Sequence, residues 1–140
     1  MIVRSAVPSD AAALSDLFDA LGYDAPAAAI PDRLARLMAN DWATALVAEE
    51  RDVVVGLATG HVLPVLHHTG QIGRLTTLVV APSARGRGVG RQLVEAIEAW
   101  ARAKGCAKIA VTTALHRSGA HAFYERLGYE HTGRRYHKAL

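Results

Sequence analysis

Residues 85–100 read ArgGlyArgGlyValGlyArgGlnLeuValGluAlaIleGluAlaTrp, three arginines set among three glycines where an amphipathic helix begins. A helix N-terminus already carries partial positive charge from its unpaired N–H groups, so helix stability alone favours Asp or Glu there. Cations at that end call for an anion from outside the chain. Glycines let backbone approach an oxyanion closely, the N–H groups of Gly86, Arg87, Gly88, Val89 and Gly90 can point at it, and Arg85, Arg87 and Arg91 add charge. That arrangement suits a pyrophosphate. A dinucleotide fingerprint would need glycine where Arg91 stands, and the Lys-Ser/Thr pair of a P-loop is missing, so neither pattern applies.

Outward from this loop the periodicity gives the rest of the chain. The helix continues to about Lys104 with Val89, Leu93, Ile97 and Trp100 on one stripe, and Gly105 closes it. Before the loop, β-rich runs cover 43–49, 53–63 and 72–80, with ArgAsp and HisHisThrGly as turns. The N-terminal part reads as a strand over 2–7 and a helix opened by Pro8 with Leu14, Leu17, Phe18 and Leu21 on one face. A shorter helix from about Pro31 to Asn40 carries Leu34, Leu37 and Met38. After the central helix come a strand over 108–114, a helix over 118–127 with Ala120, Phe123 and Leu127 inward, and a final strand over 129–136. The order β-α-α-β-β-β-α-β-α-β predicts an α/β layer protein. Its middle strands are antiparallel hairpins, and its two strands around the central helix are parallel through a right-handed crossover.

Composition bounds the function. The 140 residues, 51% hydrophobic, fit one domain over 1–140. No apolar run approaches the roughly 20 residues of a membrane span, and the N-terminus lacks a signal-peptide pattern, so the expectation is a cytoplasmic protein without a membrane partner. One cysteine, Cys106, excludes an intramolecular disulfide, and the seven histidines show no metal-ligand spacing, so no metal is expected. The net charge of +3 hides a split: 4 basic and 9 acidic residues in 1–70, against 12 and 4 in 71–140. Either a nucleic-acid face or a pair of oppositely charged small ligands is compatible with it.

Val80-x-Pro82 followed by Arg85, Gly86, Arg87, Gly88, Val89 and Gly90, then Ala120, His121, Ala122, Phe123, Tyr124, Glu125, Arg126, Leu127, Gly128 and Tyr129, resembles the GNAT superfamily of acyl-CoA-dependent N-acetyltransferases. The resemblance implies a mixed, mostly antiparallel sheet of six to seven strands flanked by about four helices. It also implies a V-shaped splay between the strands at 72–80 and 108–114, which a bulge near Thr77 would open. By the same resemblance the glycine loop and Arg91 hold the pyrophosphate of acetyl-CoA, and the backbone of Leu78, Val79 and Val80 pairs with the pantetheine arm. Arg117 contacts the cofactor from the loop before the last helix, beside His116, and Tyr124 is the general acid. A small-molecule or peptide amine is the acceptor, and a homodimer is compatible with the family.

Direct transfer from a thioester needs a neutral amine, a polarised carbonyl and a protonated leaving thiolate. A phenol of ordinary pKa about 10 can donate to a thiolate whose conjugate acid lies near 8.5, which suits Tyr124. The base is not evident: residues 74–80, ArgLeuThrThrLeuValVal, contain no carboxylate. His61, His67 and His68 are the nearest substitutes in sequence. By the same resemblance the first two helices and the 63–71 loop wall the acceptor side, and Asp16, Asp19, Asp24, Glu49 and Glu50 fall in that half, which predicts a cationic amine. The missing carboxylate leaves a non-catalytic acetyl-CoA-binding sensor as an alternative. A nucleic-acid binder ranks last, because only Tyr124, Tyr129 and Tyr136 stand near the basic residues for stacking.

Overall fold

The computed structural model describes residues 1–112 and 118–140 and divides into two compact units, Met1–Ala110 and Val111–Leu140. The first unit contains β1 (Ile2–Ser5), α1 (Ala11–Leu21), α2 (Ile30–Met38), β2 (Ala43–Glu50), β3 (Val53–Pro64), β4 (Gln71–Val80) and α3 (Val89–Ala103). Next in the chain is β5 (Cys106–Val111), and the second unit carries α4 (Ser118–Arg126).

The described sheet has five strands in the order β1-β2-β3-β4-β5, not the six to seven expected. The missing one is the strand expected over 129–136. Residues 130–140 are all exposed and carry no strand. Glu130, His131, Thr132, Gly133, Arg134 and Arg135 offer no apolar stripe to bury, and an unpaired strand has nothing to hold it. Pairs β1–β2, β2–β3 and β3–β4 are antiparallel. The Arg51-Asp52 turn joins β2 to β3 with both residues left-handed, φ 49° and 65°, as a two-residue hairpin of matching twist requires. The last strand begins at Cys106, two residues before the expected start, and lies beside β4 through the α3 crossover, which makes the sheet mixed.

Each face of the sheet has its own helices. Leu14 and Leu17 of α1 and Ile30 and Leu34 of α2 pack with Val47, Leu57 and Val79 in one cluster. On the other face α3 buries Val89, Leu93, Ile97 and Ala101. Gly56, Gly60 and Gly73 bring α3 close to that face. A Cβ on Gly56 would stand 2.8 Å from Leu93 Cδ1, and one on Gly60 3.2 Å from both Ile97 Cγ2 and the Trp100 ring. Side chains there would push the helix off the sheet.

The register of β3 and β4 breaks once. Thr59 pairs with Thr77 and Gly60 with Leu75, so Thr76 is an extra residue of β4, a bulge within one position of the expected one. A bulge swings the strand and re-aims its side chains. Here it sends the Thr76 hydroxyl to Thr59 and His61.

In the second unit α4 ends at left-handed Gly128, φ 91°, where the Tyr129 N–H bonds the Tyr124 carbonyl at 3.0 Å. The buried ring of this helix is Tyr124. Ala120, Phe123 and Leu127, expected inward, are only half-buried.

Candidate acyl-donor loop and acceptor cavity

The glycine loop stands at the end of β4. Ala81 N–H bonds the Val55 carbonyl at 2.8 Å, fixing where the chain leaves the sheet, and Arg85 Nε donates back to the Val80 carbonyl at 3.3 Å. Gly86 and Gly88 are both left-handed, φ 78° and 83°, and a Cβ on either would meet nothing within 4 Å. Gly88 is the N-cap of α3, where no side chain caps the helix. The helical ladder opens with Gln92 N–H donating to the Gly88 carbonyl at 3.1 Å, which leaves the N–H groups of Val89, Gly90 and Arg91 ahead of it. The loop thus joins open space, uncapped donors and the positive end of a 15-residue helix. That fits a pyrophosphate.

The three arginines each have a protein contact as well. Arg87 Nη2 lies 3.0 Å from Glu50 Oε2, and Arg91 Nε lies 2.9 Å from Glu95 Oε1 one turn along α3. Both pairs are surface contacts of small worth, so either arginine can turn to a phosphate at little cost. Leu78, Val79 and Val80 pair with Ala58, Leu57 and Gly56 of β3. Arg117 and His116 fall outside the described residues.

Tyr124 is buried, with ring contacts at 5.2 Å to Phe123 and 5.6 Å to Tyr129, both edge-on. Burial pushes its phenol up to about 12, so it keeps its proton through the neutral range.

Over the α1/α2 face lies a cavity of about 330 Å³, lined by Arg33, Arg36, Leu37 and Asn40 of α2 and its C-terminal end, Ala43 of β2 and His61 of β3. Its lining is cationic. Neither Arg33 nor Arg36 has an acidic partner among the described residues. The acids expected to wall the acceptor are elsewhere engaged or exposed. Glu49 bonds Arg4, Glu50 bonds Arg87, and Asp16, Asp19 and Asp24 are exposed. Sequence reasoning passed over the two arginines, although residues 33, 36, 37 and 40 repeat at helical spacing and so share a face. His61 hydrogen-bonds Thr76, whereas His67 and His68 are exposed, their rings 4.6 Å apart and tilted by 50°.

Residues 12–129 match the Acetyltransferase (GNAT) family. The chain is 31% identical over 139 residues to an aminoglycoside N(6')-acetyltransferase type 1 of Stenotrophomonas maltophilia, covering 94% of this chain and 88% of that protein. It is 40% identical over 87 residues to the aminoalkylphosphonate N-acetyltransferase of Salmonella typhimurium, covering 62% of this chain and 56% of that protein, little more than half its length. Among solved structures, a transcriptional regulator from Bacillus halodurans superposes with a TM-score of 0.87 at 25% identity over 98% of this chain and 99% of that one. The aminoglycoside N-acetyltransferase AAC(6')-Iy, solved with CoA, also gives 0.87, at 22% identity over 99% and 93% of the two chains, a likeness of fold. No described helix is long and apolar enough to cross a membrane. The chain belongs to the GNAT acetyltransferase family.

Proposed function

We propose that this chain moves the acetyl group of acetyl-CoA directly to a primary amine. The observation that carries the reading is the loop at residues 85–91. Two left-handed glycines with open space above them lead into an uncapped helix N-terminus, in a chain of this family. Arg85, Gly86, Arg87, Gly88, Val89, Gly90 and Arg91 hold the pyrophosphate. Leu78, Val79 and Val80 bind the pantetheine arm through their backbone. A Cβ on Gly73, near the start of β4, would lie 3.5 Å from Cys106 and from Ile109, so β5 starts level with the beginning of β4. With six residues against ten, the described part of β5 ends before β4 does, which supports a splay beside residues 78–80. Tyr124, protonated at neutral pH, is the acid that restores a proton to the leaving sulfur.

The acceptor reading follows the cavity. Arg33 and Arg36 favour an amine whose other end is anionic, of the kind named for the Salmonella typhimurium relative, and about 330 Å³ suits a small molecule. A cationic acceptor, expected from the charge split, is the second reading. The exposed Asp16, Asp19 and Asp24 and the aminoglycoside relative favour it.

Thiol release from acetyl-CoA, measured with 2-aminoethylphosphonate, ethylamine, spermidine and kanamycin, separates the readings. Fastest turnover with the aminophosphonate supports the arginine-lined acceptor site, and a preference for spermidine or kanamycin supports the acidic one. Acetyl-CoA binding without turnover of any amine would leave a sensor.

A further inference from the structure

The bulge at Thr76 joins three polar side chains on the α1/α2 face of the sheet. Thr76 Oγ1 lies 2.8 Å from Thr59 Oγ1, 3.1 Å from His61 Nδ1 and 3.3 Å from the Thr59 carbonyl oxygen. A hydroxyl has one proton to give and two lone pairs to receive with. The carbonyl can only accept, so the Thr76 proton goes to it. The other two neighbours must then donate to Thr76, one through the Thr59 hydroxyl and one through His61 Nδ1–H. In the arrangement that satisfies all three contacts, Nδ1 carries the proton and Nε2 keeps its lone pair.

We infer that His61, oriented by Thr76, is the base that takes a proton from the acceptor amine. The inference rests on acetyl transfer to an amine, as proposed above. His61 lines the cavity that holds Arg33 and Arg36, the α2 charges facing it, and Arg74 is its cross-strand partner. Among the described residues, the charged groups that share this cavity with the ring or pair across from it, Arg33, Arg36 and Arg74, are cationic. Partial burial, and then Arg74, hold the imidazole below its ordinary value of 6.5, so it is neutral in the neutral range. The same cations disfavour the ammonium form of an amine placed among them, which lowers the cost of the transfer. This is how the site works without a carboxylate on β4.

The proton balance closes. The acceptor enters as an ammonium and gives one proton to Nε2. The nitrogen lone pair forms the C–N bond while the C–S bond breaks, and sulfur leaves with its electron pair. A second proton from nitrogen matches the one sulfur gains, through Tyr124 or water. His61 then returns its proton to solvent, so each turnover yields the amide, the free thiol and one proton.

Two measurements test this. In long-range ¹H–¹⁵N correlation spectra of the whole chain, His61 should be the Nδ1–H tautomer and should lose that preference in Thr76→Val. An Nε2–H tautomer in the wild type would overturn the inference whatever the activity. In pH–rate profiles with 2-aminoethylphosphonate, His61→Gln should lower kcat about 10²-fold near neutral pH, with the loss shrinking as pH approaches the amine's own pKa. Thr76→Val should cost about tenfold and Thr76→Ser should restore most of it, all with unchanged CoA affinity. An active wild type whose His61→Gln variant keeps the rate and the acidic limb, or loses rate equally at every pH, sinks His61 as the base and leaves acetyl transfer standing. A wild type that acetylates no amine overturns both.

Discussion

Arg87 Nη2 stands 3.0 Å from Glu50 Oε2, so the middle arginine of the glycine loop is held by the acid that ends β2. Glu50 therefore competes with any phosphate for that guanidinium. Glu50→Gln should tighten CoA binding about two- to fivefold at low ionic strength, the worth of an exposed pair, and the gain should fade as salt is added. Calorimetry giving equal or weaker affinity would remove Arg87 from the phosphate site.

Gly88 combines φ 83° with open space, so its substitution separates backbone from charge. Gly88→Ala bears the left-handed strain alone, about 1–2 kcal/mol. Gly88→Asp adds a negative charge where the pyrophosphate would sit, and its CoA affinity should fall at least about tenfold below that of the alanine variant, about 1.4 kcal/mol. Equal affinity for CoA in the two folded variants would mean that no anion binds over this loop.

Burial keeps the Tyr124 phenol protonated, with its pKa pushed up to about 12, and Tyr124→Phe preserves the ring contacts with Phe123 and Tyr129. Folding and acetyl-CoA affinity should hold while kcat drops about 10²-fold, with the residue of activity coming from protonation by water. A thioester with a more acidic leaving thiol should suffer less. A wild-type rate in the variant, where chemistry limits kcat, would make Tyr124 a packing residue.

Asp10 accepts two hydrogen bonds of 2.9 Å from Arg4 and one of 2.8 Å from the Val7 N–H. The hydrogen bonds from the Arg4 guanidinium hold its carboxyl below the ordinary 3.8. The ionised form is thus favoured by folding: the stabilisation is complete above the unfolded value and disappears as pH falls through the lower folded one. Asp10→Asn should destabilise the chain by about 1.5–3 kcal/mol at neutral pH. Urea unfolding should show the gap closing below about pH 4. A gap that persists unchanged at the acid end would assign the loss to packing.

A Cβ at Gly56 would stand 2.8 Å from Leu93 Cδ1 and 3.2 Å from the Val79 carbonyl, so Gly56→Ala should cost about 1–3 kcal/mol. Gly133→Ala, with nothing within 4 Å, is the control and should leave the melting temperature unchanged. Equal melting of both variants would show that α3 moves away freely.

Local pattern carried the first half of this protein's description. The helix from Val89, its glycine loop and the strand before it are contiguous, and their periodicity and backbone demands are written in neighbouring residues, so 85–100 could be read directly. The same holds for Gly22 and Gly128, both left-handed helix ends, and for the Arg51-Asp52 turn. The final strand failed because alternation without an apolar face resembles a strand only on paper.

What tertiary structure decided is which distant residues meet. The charge split suggested an acidic acceptor wall, but a sum of charges carries no pairing. Folding brings Glu49 to Arg4 and Glu50 to Arg87, and leaves Arg33 and Arg36 over the cavity. His61 was one of three equivalent histidines until the register of β3 and β4 slipped by one residue at Thr76 and turned a hydroxyl toward its Nδ1. A bulge is settled by how two strands fit against each other and their helices, and the adjacent threonines that form it differ in no way the sequence shows.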